Sequence, residues 1–142
     1  MARIPTWLTT VRGPARAAAV ARIAAGLVFV VVGLGKFVAH ADEAAAFRTY
    51  GLPHASTFVY AVGAVELIGG LMLVARLGLR IAALVLAGNM VGAIATAGRT
   101  EGGPVHLGLA PALLVTLLGL LWTGAGRWSL GARIARRHVH PS

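Results

Sequence analysis

Four long apolar runs, each about as long as a lipid bilayer is thick, govern what this chain can fold into. They cover 17–38, 57–75, 81–97 and 107–123. A helix needs about 20 residues to cross the hydrocarbon, within a range of about 17 to 25. Lipid offers no hydrogen bonds to an open backbone, so a spanning segment must satisfy its own amides, as a helix or a closed barrel does. Nothing in the runs alternates with period two, as barrel strands do. The expectation is an all-α membrane protein, a bundle of four transmembrane helices. A short segment, 1–16, precedes the bundle and a basic tail, 124–142, follows it.

Composition agrees where it bears on this. Charged residues make up 12% of the chain and hydrophobic ones 58%. A soluble domain carries about 25% charged residues. The 19 glycines suit close helix packing in lipid, where no hydrophobic effect draws helices together. Cysteine is absent, which excludes disulfides, thiolate metal sites and thiol redox chemistry by this chain.

The basic residues set an orientation. Arg3, Arg12, Arg16 and Arg22 stand at the start of the first run, Arg76 and Arg80 flank the second link, and Arg127, Arg133, Arg136 and Arg137 follow the fourth run. The opposite loops hold only Arg48 and Arg99, together with Asp42, Glu43 and Glu101. By the positive-inside rule both termini are expected in the cytoplasm, with the bundle in the cell (plasma) membrane. This asymmetry accounts for the net charge of +9. The arginines cluster at span ends rather than along one face, which points to topology and anionic lipid, not to nucleic acid.

Ala39-His40-Ala41 has the spacing of a signal-peptide cleavage site. The basic leader is long, however, and Lys36 interrupts the apolar region just before it, so the first run is expected to stay as a span. RIAA occurs at 22–25 and again at 80–83, a faint echo that fits two helical hairpins. The longest loop contains Ala46, Phe47 and Tyr50, which fit a short interfacial helix stopped by Gly51 and Pro53. Arg133 to His138 reads as a solvated or lipid-touching tail.

The polar residues within the runs are the candidate site. Gly26, Gly33 and Lys36 share a face of the first helix, and Gly63, Glu66 and Gly70 share a face of the second. Gly88 and Gly92 form a GxxxG pattern on the third, with Asn89 beside it. Such glycines read first as packing seams. Glu66 and Asn89 each lie about ten residues, ~15 Å, from the cytoplasmic ends, and Thr116 lies at a similar depth. Lys36, the sole lysine, sits near the outer end of its helix. It serves either as an interfacial anchor that snorkels to the headgroups or as one wall of a polar pocket. Direct pairing with Glu66 is not expected, because Glu66 lies ~14 Å below the outer end of its own helix. A neutral Glu66 that donates a hydrogen bond to Asn89, Thr116 or a bound carbonyl is the expected state. His40, His54 and His106 fall in the same outer loops without ligand spacing, so no metal site is expected.

The ordered set of RIAAGLVFVVVGLGKF, GLP, VELIGGLMLV, RIAALVLAGNM and GRWSL resembles the DoxX family of small four-helix bacterial membrane proteins. The resemblance runs from Arg22 to Leu130. It implies a membrane subunit associated with redox complexes, since the family includes a small subunit of thiosulfate:quinone oxidoreductases.

Two functions remain open. One is a non-catalytic subunit or adaptor of a membrane redox complex, with a quinone- or lipid-like molecule held between helices by Lys36, Glu66, Asn89 and Thr116. The other is a small carrier or lipid-handling protein that uses Glu66 as a protonatable site. No nucleophile–base pair or cofactor motif points to a stand-alone enzyme. No covalent cofactor is expected, and a quinone is the candidate ligand. The expected partners are the bilayer, a membrane redox protein and a second copy of the chain.

Overall fold

The computed structural model describes residues 12–123, with side chains from residue 16 onward. Arg3, the GRWSL stretch and the basic tail lie outside the described residues. Every regular element among the described residues is helical. Helix α1 spans Arg12–Val38, α2 His40–Thr49, α3 Ala55–Ala75, α4 Leu79–Ala95, α5 Ala97–Thr100 and α6 Ala110–Thr123, with one π-helical turn, Val105–Leu109, leading into α6. Four stretches are long and apolar enough to cross a membrane: Arg16–Val38, Ala55–Ala75, Leu79–Thr100 and Val105–Thr123. The four expected runs are all present. The third runs further toward the loop end, because α4 kinks at Thr96 and resumes as α5. The Thr96 hydroxyl donates to the Gly92 carbonyl, the backward bond that tends to bend a helix.

Local chemistry sets the boundaries. Helix α2 begins earlier than Ala46, because Asp42 and Glu43 in its first turn and Arg48 in its last complement the helix dipole. Gly51 ends it with φ +78°. Helix α3 closes in a Schellman turn in which Leu77 N–H bonds to Met72 C=O at 3.0 Å. The left-handed residue there is Arg76, φ 59°, where glycine is usual.

The chain packs as two antiparallel hairpins, α1 on α3 and α4 on α6, which meet through α3 and α4. The α1–α3 seam is built on glycine. A Cβ at Gly26 would lie 2.8 Å from the Gly70 carbonyl oxygen, and one at Gly33 2.7 Å from Leu67 N. Both are closer than atoms can approach, so only hydrogen fits, and the backbones touch. The GxxxG pattern of α4 behaves differently. Among the described residues, no atom beyond the helix's own adjacent backbone lies within 4 Å of a Cβ at Gly88 or Gly92, so these residues do not form the expected packing seam.

Phe29, Leu73, Leu86 and Leu117 are fully buried in the half of the bundle nearer the termini. Val20, Val31, Ile81, Val115 and Trp122 are exposed, as suits a surface solvated by lipid. Helix α2 lies across the other end as a roof. Beneath it the helices part, and the space between them is the candidate site.

Candidate functional site

Three helices bring one polar cluster together. Lys36 stands one turn beyond Gly33 on α1, Glu66 projects from α3 and Asn89 from α4. The Lys36 ammonium lies 2.9 Å from Glu66 Oε2. Asn89 Nδ2 donates to Glu66 Oε1, also at 2.9 Å. Lys36 and Glu66 are 8% and 3% exposed, so both charges are shielded from solvent.

This corrects the expected separation of Lys36 and Glu66. The Gly33–Leu67 contact fixes the register, and side-chain direction does the rest. Every Cα–Cβ bond leans toward its helix N-terminus. The helices are antiparallel, so Lys36 leans into the bundle while Glu66 leans toward the roof, and the two converge. The hydrogen bond to Asn89 also runs opposite to expectation, since Glu66 accepts it. Thr116 takes no part: its hydroxyl donates to the Ala112 carbonyl of its own helix at 2.8 Å. Of the four expected site residues, the fold unites Lys36, Glu66 and Asn89 and leaves Thr116 aside.

The cluster forms part of the wall of a cavity of about 610 Å³. Its deep part is apolar, with Phe29, Val32, Met90 and Leu113. Its outer part reaches Asp42, Glu43, Tyr50, Glu101 and His106 under the roof. The roof is fastened at both ends. His40 Nε2 lies 3.0 Å from the Ser56 carbonyl oxygen, and its ring stacks on Tyr60 with centroids 3.9 Å apart. At the far end Tyr50 hydrogen-bonds Glu101 and meets the edge of the His106 ring, with centroids 6.2 Å apart. His106 Nδ1 is 3.9 Å from Glu101 Oε2. Burial, the Glu101 bond and the charges of Glu101 and Glu43 push the Tyr50 phenol up to about 12. His40 and His106 thus serve as fasteners. Among the described residues no three His, Asp or Glu side chains converge as a metal site would require.

Arg22 has a role that sequence reasoning missed. It is 6% exposed, and its guanidinium donates to the Leu73 carbonyl and, at 2.9 Å, to the Val74 carbonyl. These carbonyls lie in the last turn of α3, where the helix dipole is negative and the backbone offers Leu73 only a long bond, from Arg76 N–H at 3.4 Å. Both bonds come from one guanidinium nitrogen, Nη1, and hold α3 against α1. Arg80, its counterpart in the RIAA echo, is exposed, so the repeat does not extend to environment.

Comparison with known proteins places the chain. The sequence profile of the DoxX family matches residues 17–99. An uncharacterized membrane protein of Mycobacterium tuberculosis, Rv3486, is 34% identical over 150 residues, covering 94% of this chain and 91% of that protein. A Bacillus subtilis protein provisionally named an oxidoreductase, CatD, is 37% identical over 75 residues, covering 53% of this chain and 54% of that one. No solved structure matches the chain significantly. With four membrane-length helices and a profile match that takes in Lys36, Glu66 and Asn89, the chain belongs to the DoxX family of membrane proteins.

Proposed function

We propose that this protein is a non-catalytic membrane subunit that binds the polar head of a quinone- or lipid-like molecule at Lys36, Glu66 and Asn89 and presents it to a membrane redox partner. The observation that carries this reading is the buried ion pair in the wall of a cavity whose deep part is apolar. Its volume falls within the ~300–1,000 Å³ typical of small-molecule sites. Charged groups inside a membrane are costly and commonly mark ligand or ion pathways. The ammonium supplies hydrogen-bond donors to an oxygen, and the deep apolar part suits a tail. The name of the Bacillus relative adds support for a redox setting.

The carrier reading needs a Glu66 free to take and release protons. One of its oxygens accepts a hydrogen bond from Asn89 and the other lies in an ion pair with Lys36, which weighs against that role. Purification in mild detergent, followed by mass spectrometry of co-purifying proteins and lipids, tests the proposal. It expects an isoprenoid or lipid molecule retained by the wild type and lost from Lys36→Gln. Equal retention by both proteins would retire the pocket.

A further inference from the structure

Five glycines of the described helical segments have nothing within 4 Å of where a Cβ would stand: Gly35, Gly88, Gly92, Gly108 and Gly119. Of these, only Gly88 and Gly92 line the cavity. Neither has a positive φ, so the backbone does not call for glycine there. Among the described residues no neighbouring helix presses on them, so packing there does not call for it either. They lie one helical turn apart, about 6 Å, and flank Asn89. The result is a strip of bare peptide backbone in the cavity wall, beside the polar cluster.

A second observation points to an occupant. The Lys36 ammonium has three N–H donors, and it lines the same cavity. Among the described residues its one partner is Glu66 Oε2. Glu66 Oε2 itself has no aligned hydrogen bond. A side chain more than nine-tenths buried thus keeps donors unused, and buried donors are ordinarily satisfied.

Resting on the pocket reading above, we infer that the bound head is a flat, oxygen-bearing ring that lies against the backbone of Gly88 and Gly92 and takes a hydrogen bond from Lys36 on an edge oxygen. A bare strip admits a planar group to van der Waals distance of the peptide planes, whereas any larger residue would hold it off. An acyl chain would gain little there, because its contacts come from side chains, which this strip lacks. A tetrahedral phosphate head would meet the acidic outer part of the cavity, Asp42, Glu43 and Glu101, as like charge. A neutral ring meets no such opposition.

The test uses the full-length protein in detergent micelles, with a short-tailed benzoquinone as probe and phosphatidylglycerol as competitor. Lys36→Gln reports on the pocket, Gly88→Val and Gly92→Val on the ring slot, and Gly35→Val, an open glycine outside the cavity, serves as control. Gly88→Ala and Gly92→Ala supply milder versions if a valine protein fails to fold. The expected result is at least a ten-fold weaker benzoquinone affinity for Lys36→Gln and for each slot valine. The control should bind as wild type, and melting temperatures of the slot variants should be unchanged. Benzoquinone binding lost in Lys36→Gln but kept in every slot variant overturns the ring seat and leaves the pocket standing. Binding unaffected by all substitutions, or absent from the wild type, overturns both. Phosphatidylglycerol displacing the probe from the wild type, with the slot valines indifferent to either, assigns the pocket to a lipid head. Slot variants that keep the probe but dissociate an oligomer make Gly88 and Gly92 a seam between copies and sink the ring.

Discussion

Lys36 of α1 and Glu66 of α3 face each other at 2.9 Å, and each is more than nine-tenths buried. Removing one member of a buried pair strands the other charge, at a cost of about 3 to 5 kcal/mol, whereas removing both is often neutral. Glu66→Gln alone should therefore lower stability strongly. Lys36→Met combined with Glu66→Gln should recover most of the loss, with the Asn89 bond kept by the amide. Thermal melting in detergent checks this. Additive losses in the double variant would show that the pair contributes nothing as a pair.

Arg22→Leu should lower stability by about 1 to 3 kcal/mol, because Val74 C=O loses its side-chain donor and Leu73 C=O keeps only the long bond from Arg76 N–H. Arg22→Lys should restore only part of this, since lysine reaches less far and its ammonium is more strongly hydrated than the guanidinium. A melting series of the three proteins decides. If lysine matches arginine fully, neither reach nor hydration matters there.

The glycines divide into two sets with opposite expectations. At Gly33 and Gly70 an added methyl would meet backbone atoms at 2.7 Å in each case. Gly33→Ala and Gly70→Ala should each cost about 1 to 3 kcal/mol through forced separation of α1 and α3. Gly92→Ala meets nothing and should be neutral or slightly stabilising, since alanine is the better helix former. Melting temperatures that fail to separate the two sets would refute the close seam.

Tyr50 yields a prediction in alkali. Its phenol is raised to about 12 by burial first and by Glu101 and Glu43 after. An unfolded chain releases the same proton near pH 10. The folded rim holds the proton more tightly, so the contribution of Tyr50 to roof closure is complete below about pH 10 and is lost as pH rises through about 12. In a Tyr60→Phe background the phenolate absorbance reports Tyr50 alone, because the chain has 2 tyrosines. Glu101→Gln should move the midpoint down partway, leaving the share due to burial. No movement would mean that Glu101 does not reach the phenol.

Topology is open to direct labelling. A cysteine placed as Thr100→Cys should react with an impermeant reagent on intact cells, and Leu77→Cys should not. The reverse pattern would turn the protein over in the membrane.

The four spans were legible in the sequence because hydropathy is local, and averaging over a helix length suffices to find them. The polar cluster was half legible. Counting residues gave the depths of Glu66 and Asn89, but it ignored which way side chains lean, and so it kept Lys36 and Glu66 apart. Thr116 had the right depth and the wrong partner, since a helical threonine can satisfy itself on the preceding turn. Arg22 looked like one more topology signal, because nothing local says that another helix ends beside it. Gly88 and Gly92 carry the motif of a seam, yet only the fold reveals that, among the described residues, no helix comes to meet them.

The order in which the chain emerges during synthesis gives the Lys36–Glu66 contact a second meaning. Lys36 leaves the ribosome 30 residues before Glu66. A first helix alone in the bilayer can keep its ammonium at the interface, since the charge is near the helix end and the stem is long. A third helix alone has no such recourse, because its acid lies near mid-depth. The early helix therefore acts as a waiting counter-ion for the later one, and α3 should enter the membrane efficiently only with α1 already beside it. Glycosylation-tagged fragments should show α1 inserting alone, α3 inserting poorly alone, and the α1–α3 hairpin inserting well unless Lys36 is replaced.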